Sequence, residues 1–279
     1  MIGSLFISFS AFLVALLPIY LWGYGSSLLL DEPWNRRRFL LGMIIGGLSV
    51  GIVWLFSILN KIEHFYTTIA SFIFIFLLGT SIFLLIQYGS VFARKILQKV
   101  AIANILIITF WLVAVLFIST KIPGSVILVV TILPLLLSSL VEESSKHLMS
   151  VGLMSQDFRF SKRDIVLFTI FVVLGFVFIE NLLYFFRGDG GMGTWIFRSF
   201  FSLIAHLVSA VICAYAWWKA LSYPPFSLGY IAIFSIGFIG AVITHLIYNF
   251  ILGEGSVMGL FLFCIVSYIV ITQGILRNR

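Results

Sequence analysis

Charged residues are scarce in this sequence. They make up 10% of the 279 residues, whereas hydrophobic residues make up 62%, and the mean hydropathy is +1.19. Soluble domains carry about 25% charged residues, so this composition excludes a soluble fold of this length. The sequence therefore predicts an all-α, polytopic integral membrane protein that is surrounded by the lipid bilayer. Its 23 glycines suit helices that pack closely in lipid.

Several other features are also missing. Cys213 and Cys264 are the two cysteines, and both lie in apolar runs, so we expect no disulfide. Residues 1–30 have no positively charged segment before the apolar run and no evident cleavage site, which predicts a retained first helix. There is no soluble domain, long linker or clear internal repeat. The formal net charge of +7 does not indicate nucleic-acid binding, because the basic residues form short clusters between apolar runs.

Apolar runs of the ~20 residues needed to cross a bilayer occur about nine times. We predict transmembrane helices at approximately 5–29, 39–59, 66–88, 100–120, 125–154, 165–186, 195–218, 228–252 and 256–275.

The basic residues predict the orientation of these helices. Of the 17 lysines and arginines, twelve lie in the tail and in alternate loops, four lie on the opposite side, and Lys146 lies within a helix. The loops rich in basic residues are 31–38, 89–99, 155–164 and 219–227. Because such loops stay in the cytoplasm, we expect an outside N-terminus, a cytoplasmic C-terminus and a multi-pass location in a bacterial plasma membrane.

Polar residues within helices are concentrated in the second half of the chain. The helices of residues 1–120 carry no polar constellation, so we predict an accessory domain there and a catalytic core at 121–279. Charges at bilayer depth cost roughly 2.5–3.5 kcal/mol each and usually mark function. Residues three and four apart share a helical face, so we expect the polar faces to meet in one cavity. The fifth to eighth predicted helices contribute Glu142, Glu143, Lys146, His147, Glu180, Asn181, Tyr184, His206, His245 and Asn249.

Each of these residues also has a structural explanation when it is considered alone. The two adjacent glutamates could mark a helix end, and Lys146 could either reach the membrane surface or pair with Glu142. Glu180, Asn249 or a single histidine could serve helix packing, and Tyr184 could lie at the membrane interface. The depth of the glutamates depends on Pro134, because proline starts or kinks helices. We predict that the fifth helix is bent or broken near Pro134 and that Glu143 lies at mid-depth.

Together, these residues are sufficient for the hydrolysis of an amide by water. Neighbouring carboxyl groups in an apolar environment can act as general bases near neutral pH. Facing imidazole and carboxamide groups can stabilise an oxyanion, and Lys146 can hold one glutamate ionised. Such a mechanism requires no serine or cysteine nucleophile, and we expect no cofactor.

Four ordered motifs resemble the PrsW family of intramembrane proteases, which is related to the CAAX prenyl proteases and the bacteriocin-immunity membrane proteins. The wider superfamily more often has an arginine after a longer gap in the first motif and a histidine where Glu180 stands. These differences point to the PrsW branch and away from prenyl-cysteine substrates. The resemblance covers residues 134–252, and its motifs are Glu142-Glu143-x-x-Lys146, Phe176-x-x-x-Glu180-Asn181-x-x-Tyr184, His206 and His245-x-x-x-Asn249.

The resemblance implies a metal-independent, glutamate-dependent endopeptidase that cleaves membrane-anchored proteins such as an anti-sigma factor. It makes Glu142 and Glu143 the essential pair and assigns the oxyanion or the water to His245 and Asn249. Glu180 would share the water, and His206 would line the cavity. Our hypothesis at this stage is that Glu143 is the base, because its face also carries His147.

Three other classes of function remain open from the sequence. A zinc hydrolase could use one of the paired glutamates with His206 and His245, although no HExxH spacing supports it. A proton- or cation-coupled transporter could use buried acids and histidines, but it predicts an inverted repeat that is not evident. A non-enzymatic membrane scaffold would require dispensable glutamates.

Overall fold

The computed structural model describes residues 2–30, 35–60, 132–154, 161–187, 192–224 and 227–276. All regular structure in these ranges is helical. The helices are α1 (Ile2–Leu29), α2 (Arg36–Asn60), α3 (Leu133–Met154), α4 (Lys162–Arg187), α5 (Met192–Ala220), α6 (Leu228–Gly253) and α7 (Val257–Leu276).

Six of these helices coincide with predicted spans to within a few residues. Helix α3 is described from Leu133, and the start of its predicted span, at 125, falls outside the described residues. So do the third and fourth predicted spans, because residues 61–131 are not described. The prediction of nine spans, and that of a bend or break near Pro134, therefore stay predictions. Cys213 and Cys264 are both free, as predicted.

Helix α4 is the central element of the described bundle, and it packs along α2 without intervening side chains. A β-carbon on Gly46 would overlap the backbone carbonyl of Val172, and one on Gly175 would overlap the backbone of Met43. Glycine is therefore required where the two backbones touch. The core around this contact contains apolar side chains from α1, α2, α4 and α5. Helix α3 packs against α2, α4 and α6, and this position brings its polar face to the bundle interior.

The beginnings of α2 and α4 lie at the same end of the bundle. Ser161 and Asp164 form a reciprocal cap, in which the Ser161 Oγ accepts from the Asp164 N–H and the Asp164 carboxylate accepts from the Ser161 N–H. Asp164 also pairs with Arg38 of α2. Lys162 lies 3.8 Å above the ring of Trp218, near the end of α5. Lys219 of α5 lies 4.9 Å from the centroid of the same ring, so basic side chains of three helices gather at one end.

The described helices have the lengths and surfaces of a membrane protein. Lys162–Phe186, Phe197–Ala220 and Leu228–Gly253 are each long and apolar enough to cross a bilayer, and Val257–Gln273 is a shorter apolar helix. The outer faces of α6 and α7 expose large apolar side chains such as Ile236 and Met258, which suit contact with lipid. The protein is thus an all-α membrane protein in its described part.

Candidate active site

Glu143 is the most thoroughly bonded of the paired glutamates. Its side chain is fully buried and contacts three cationic or imidazole groups. Lys146 Nζ and His245 Nδ1 lie 2.5 Å and 2.7 Å from Oε1, and His147 Nε2 lies 2.9 Å from Oε2. Both oxygens are therefore occupied by groups of the protein. The contact with His245 joins α3 to α6 and fixes the orientation of that imidazole.

Glu142, in contrast, keeps one oxygen available. Ser138 Oγ–H donates to its Oε1 at 2.9 Å. Its Oε2 is buried and makes no hydrogen bond to any described residue. This oxygen lies 3.4 Å from His245 Nε2. The second nitrogen of His245 and the available carboxylate oxygen of Glu142 therefore lie side by side.

Lys146 does not occupy either place that the sequence allowed. It is completely buried, so it does not reach the membrane surface. Its ammonium contacts Glu143 and not Glu142, and it lies 4.6 Å above the ring of Phe176. The expected pairing with Glu142 is wrong because on this helix the side chain turns toward the residue three positions earlier, where α4 and α5 close over it.

A chain of polar contacts continues from Lys146 across the bundle. Because an ammonium group can only donate, His206 Nδ1 accepts from Lys146 Nζ at 2.8 Å. The Nε2–H of His206 then donates to Glu180 Oε2 at 3.1 Å. Arg198 donates to Glu180 Oε1 at 3.4 Å, and its guanidinium stacks 3.6 Å from the ring centroid of Tyr184. This chain links α3, α5 and α4.

These elements enclose a cavity of about 240 Å³. Asn181 is buried outside its lining, and Glu143 and Lys146 support the wall without lining it. Asn249 also reaches α3, because its Nδ2 donates to Ser139 Oγ at 3.3 Å. Six predicted residues line the cavity together, namely Glu142, Glu180, Tyr184, His206, His245 and Asn249.

Four further polar residues of the lining were missed in the sequence, namely Ser138, Arg198, Ser202 and Tyr248. Arg198 is one of the four basic residues that the sequence placed on the side opposite the cytoplasm, and it lies within α5. Its spacing held the signal, because Arg198, Ser202 and His206 follow one another at intervals of four residues. Ser138 likewise precedes Glu142 by four residues. Serine and tyrosine give little signal of a functional site in a sequence, because both are common in membrane helices without any role.

The cavity wall also contains the donor types of a metal site. Glu142, His206 and His245 each offer a ligand atom, and these atoms lie within 4.8 Å of one another. The rings of His206 and His245 meet edge to face, with their centroids 4.7 Å apart. A carboxylate and two imidazoles are sufficient in kind for a catalytic zinc ion.

Comparison with known proteins gives one match. The model of a family described as "PrsW family intramembrane metalloprotease" matches residues 88–275, which include all the residues of the cavity wall. No curated protein and no solved structure matches the chain.

Proposed function

Since the chain belongs to the PrsW family and is an intramembrane protease, we propose that it cleaves membrane-anchored proteins with a water molecule that Glu142 activates. The observation that supports this best is the position of Glu142 Oε2, which is buried at the cavity wall and accepts no hydrogen bond from any described residue. A general base must have an acceptor oxygen within reach of the substrate water.

The geometry favours Glu142 over Glu143, which was our hypothesis from the sequence. Glu143 is surrounded by Lys146, His147 and His245, and it does not line the cavity. A carboxylate with this many donors stays ionised and acts as an orienting group. Its contact with His245 Nδ1 leaves Nε2 directed toward Glu142. We therefore assign Glu143 to positioning and Glu142 to proton transfer.

The proposed reaction follows from these two positions. A water held by Glu142 Oε2 and His245 Nε2 donates one hydrogen bond to each, which leaves an oxygen lone pair for attack on the peptide carbonyl. As the new C–O bond forms, the water proton passes to Glu142 and the carbonyl oxygen becomes an oxyanion. When the C–N bond breaks, Glu142 returns this proton to the leaving nitrogen, so that the products are an acid and an amine.

The family description includes a metal, but the cluster as arranged does not fit one. A catalytic zinc needs three protein ligands in addition to water. Glu142 and His245 each present a free donor, but both ring nitrogens of His206 are engaged, one by Lys146 and the other by Glu180. The cluster therefore offers two free ligand atoms for a metal ion instead of three, and we route no step through a metal ion.

The substrate is proposed only as a class. The membrane helices and the cavity between them suit a protein that is anchored in the same bilayer, such as an anti-sigma factor. A bacterial plasma membrane would be the corresponding location. The size of the cavity, about 240 Å³, suits a few residues of an extended peptide and not a folded domain.

Replacing each glutamate by glutamine separates the two assigned roles. We expect Glu142→Gln to lower kcat by about 10³-fold without loss of stability, because the amide oxygen still accepts from Ser138. Glu143→Gln should lower the free energy of unfolding by about 3–5 kcal/mol, because buried Lys146 loses its counter-charge. Cleavage of single-span test peptides in proteoliposomes and thermal unfolding in detergent are the measurements.

Glu254→Gln is the control, because Glu254 is exposed at the end of α6 and should change neither quantity. An active Glu142→Gln protein, together with an inactive Glu143→Gln protein of normal stability, would show that Glu143 is the general base. Full activity in both variants would refute a glutamate-dependent mechanism altogether.

A further inference from the structure

Three hydrogen-bond donors of the cavity wall have no acceptor among the described residues. Arg198 Nε, Ser202 Oγ and the Tyr248 hydroxyl are buried, and none of them makes a hydrogen bond to a described residue. All three residues line the cavity that Glu142 and His245 also line. Buried donors are almost always paired in folded proteins, so three donors at one cavity that find no partner in the described ranges point to an acceptor on a bound substrate.

His245 and Asn249, which the family resemblance assigned to the oxyanion, are engaged by other residues. His245 donates its Nδ1–H to Glu143, and its Nε2 faces the oxygen of Glu142. Asn249 has one amide hydrogen committed to Ser139. These two residues are therefore largely used in holding α3 against α6. A tetrahedral intermediate needs donors that are already positioned and not otherwise engaged.

Arg198 and Tyr248 meet this requirement. The guanidinium of Arg198 is held by Glu180 on one side and by the ring of Tyr184 on the other, while its Nε–H meets no acceptor in the part of the chain that the structure describes. Ser202 lies one turn further along α5, on the same face. Tyr248 is 2% exposed and packs against Phe263, which fixes its ring. Each donor is thus on a rigid helix and is held by its neighbours.

We propose that Tyr248, Arg198 and Ser202 form the oxyanion hole of this protease, with Tyr248 as its principal donor. This inference rests on the proposed water attack. When the hydroxide adds to the peptide carbon, the carbonyl π electrons move to the oxygen, which accepts hydrogen bonds from the Tyr248 O–H and the Arg198 Nε–H. These hydrogen bonds strengthen as the charge develops and relax when the C–N bond breaks. No proton is transferred to the oxyanion.

Tyr248→Phe tests this role directly, because it removes only an oxygen that makes no hydrogen bond to a described residue. We expect kcat to fall by about 10²- to 10³-fold, while KM stays unchanged. The melting temperature should stay the same or rise, because an unsatisfied buried hydroxyl is removed. A purely structural role would predict the opposite pattern, with a lower melting temperature and normal kcat.

Two serines provide a matched pair. Ser202 and Ser144 are both buried, and neither hydroxyl is bonded to any residue of the described ranges, but Ser202 lines the cavity and Ser144 does not. We expect Ser202→Ala to lower kcat by about tenfold or more and Ser144→Ala to leave it unchanged. The same single-span peptides in proteoliposomes serve as substrates, with the cleaved bonds located by mass spectrometry.

The outcomes separate this inference from the proposed function. A normal kcat in Tyr248→Phe, with an inactive Glu142→Gln protein, would overturn the proposed oxyanion hole. It would not contradict the proposal that Glu142 activates a water molecule. Equal effects of the two serine substitutions would also overturn it. If the wild-type protein cleaves none of the peptides, or if Glu142→Gln is active, the proposed function itself fails.

Discussion

At the scale of single residues, the ammonium group of Lys146 decides which atoms of the site stay free. It occupies one oxygen of Glu143 and the Nδ1 of His206 simultaneously. It therefore keeps Glu143 ionised and commits His206 to donating toward Glu180. Without this group, His206 could turn its lone pair toward Glu142 and His245, whose ligand atoms already lie within 4.8 Å. The same side chain thus supports the glutamate pair and opposes metal binding.

Lys146→Met tests this second effect. We expect the variant to bind zinc at least about tenfold more tightly than the wild type, because a third ligand becomes free and a positive charge is removed. Metal content after equilibration with zinc and dialysis is the measurement. Lys219→Met, which removes an exposed lysine of α5, is the control. A wild-type protein that retains one zinc ion per chain, and loses its activity with a chelator, would contradict the metal-free mechanism.

At the scale of helices, hydropathy was a sufficient guide to the elements but not to their contacts. The bounds of α4, α5, α6 and α7 agree with the predicted spans to within a few residues, because apolar length alone determines a membrane helix. The pairing of Lys146 with Glu143 could not be predicted, since residues three and four positions away were equally within its reach. Tertiary packing made that choice. The contact of α2 with α4 likewise depends on particular glycines, whereas the composition gives only their total number.

Gly46→Ala tests whether this glycine contact positions the site. The added β-carbon would meet the backbone of Val172, which cannot move without shifting α4. We expect a loss of about 1–3 kcal/mol in the free energy of unfolding and a fall in kcat, because α4 carries Glu180. Gly51→Ala is the matched control on α2, since nothing lies within 4 Å of its added carbon. It should be neutral or stabilising by up to about 1 kcal/mol. Equal melting temperatures for the two variants would refute the contact.

At the scale of the whole molecule, the proposed catalytic groups share one level. Glu142 lies nine residues from the start of α3, Glu180 seven from the end of α4 and His245 eight from the end of α6. At 1.5 Å per residue these positions lie roughly 10–14 Å from the corresponding helix ends. The sequence predicted this agreement only if α3 began near Pro134. What it could not supply was which of the two glutamates faces the cavity, because both positions border the same helical face.

The cavity also lies toward one end of the bundle, which predicts the side of the membrane where cleavage occurs. Tyr184, Leu252 and Gly253 line it near the ends of α4 and α6, whereas Ser161 and Arg38 lie at the other end with most of the basic side chains. Because basic ends stay in the cytoplasm, the cavity should face outward. In a protein whose native cysteines are replaced by alanine, Gly253→Cys should react with a membrane-impermeant maleimide in intact cells. Ser161→Cys, also exposed, should react only after permeabilisation. The reverse pattern would place the cavity, and therefore the cleaved segment of the substrate, on the cytoplasmic side.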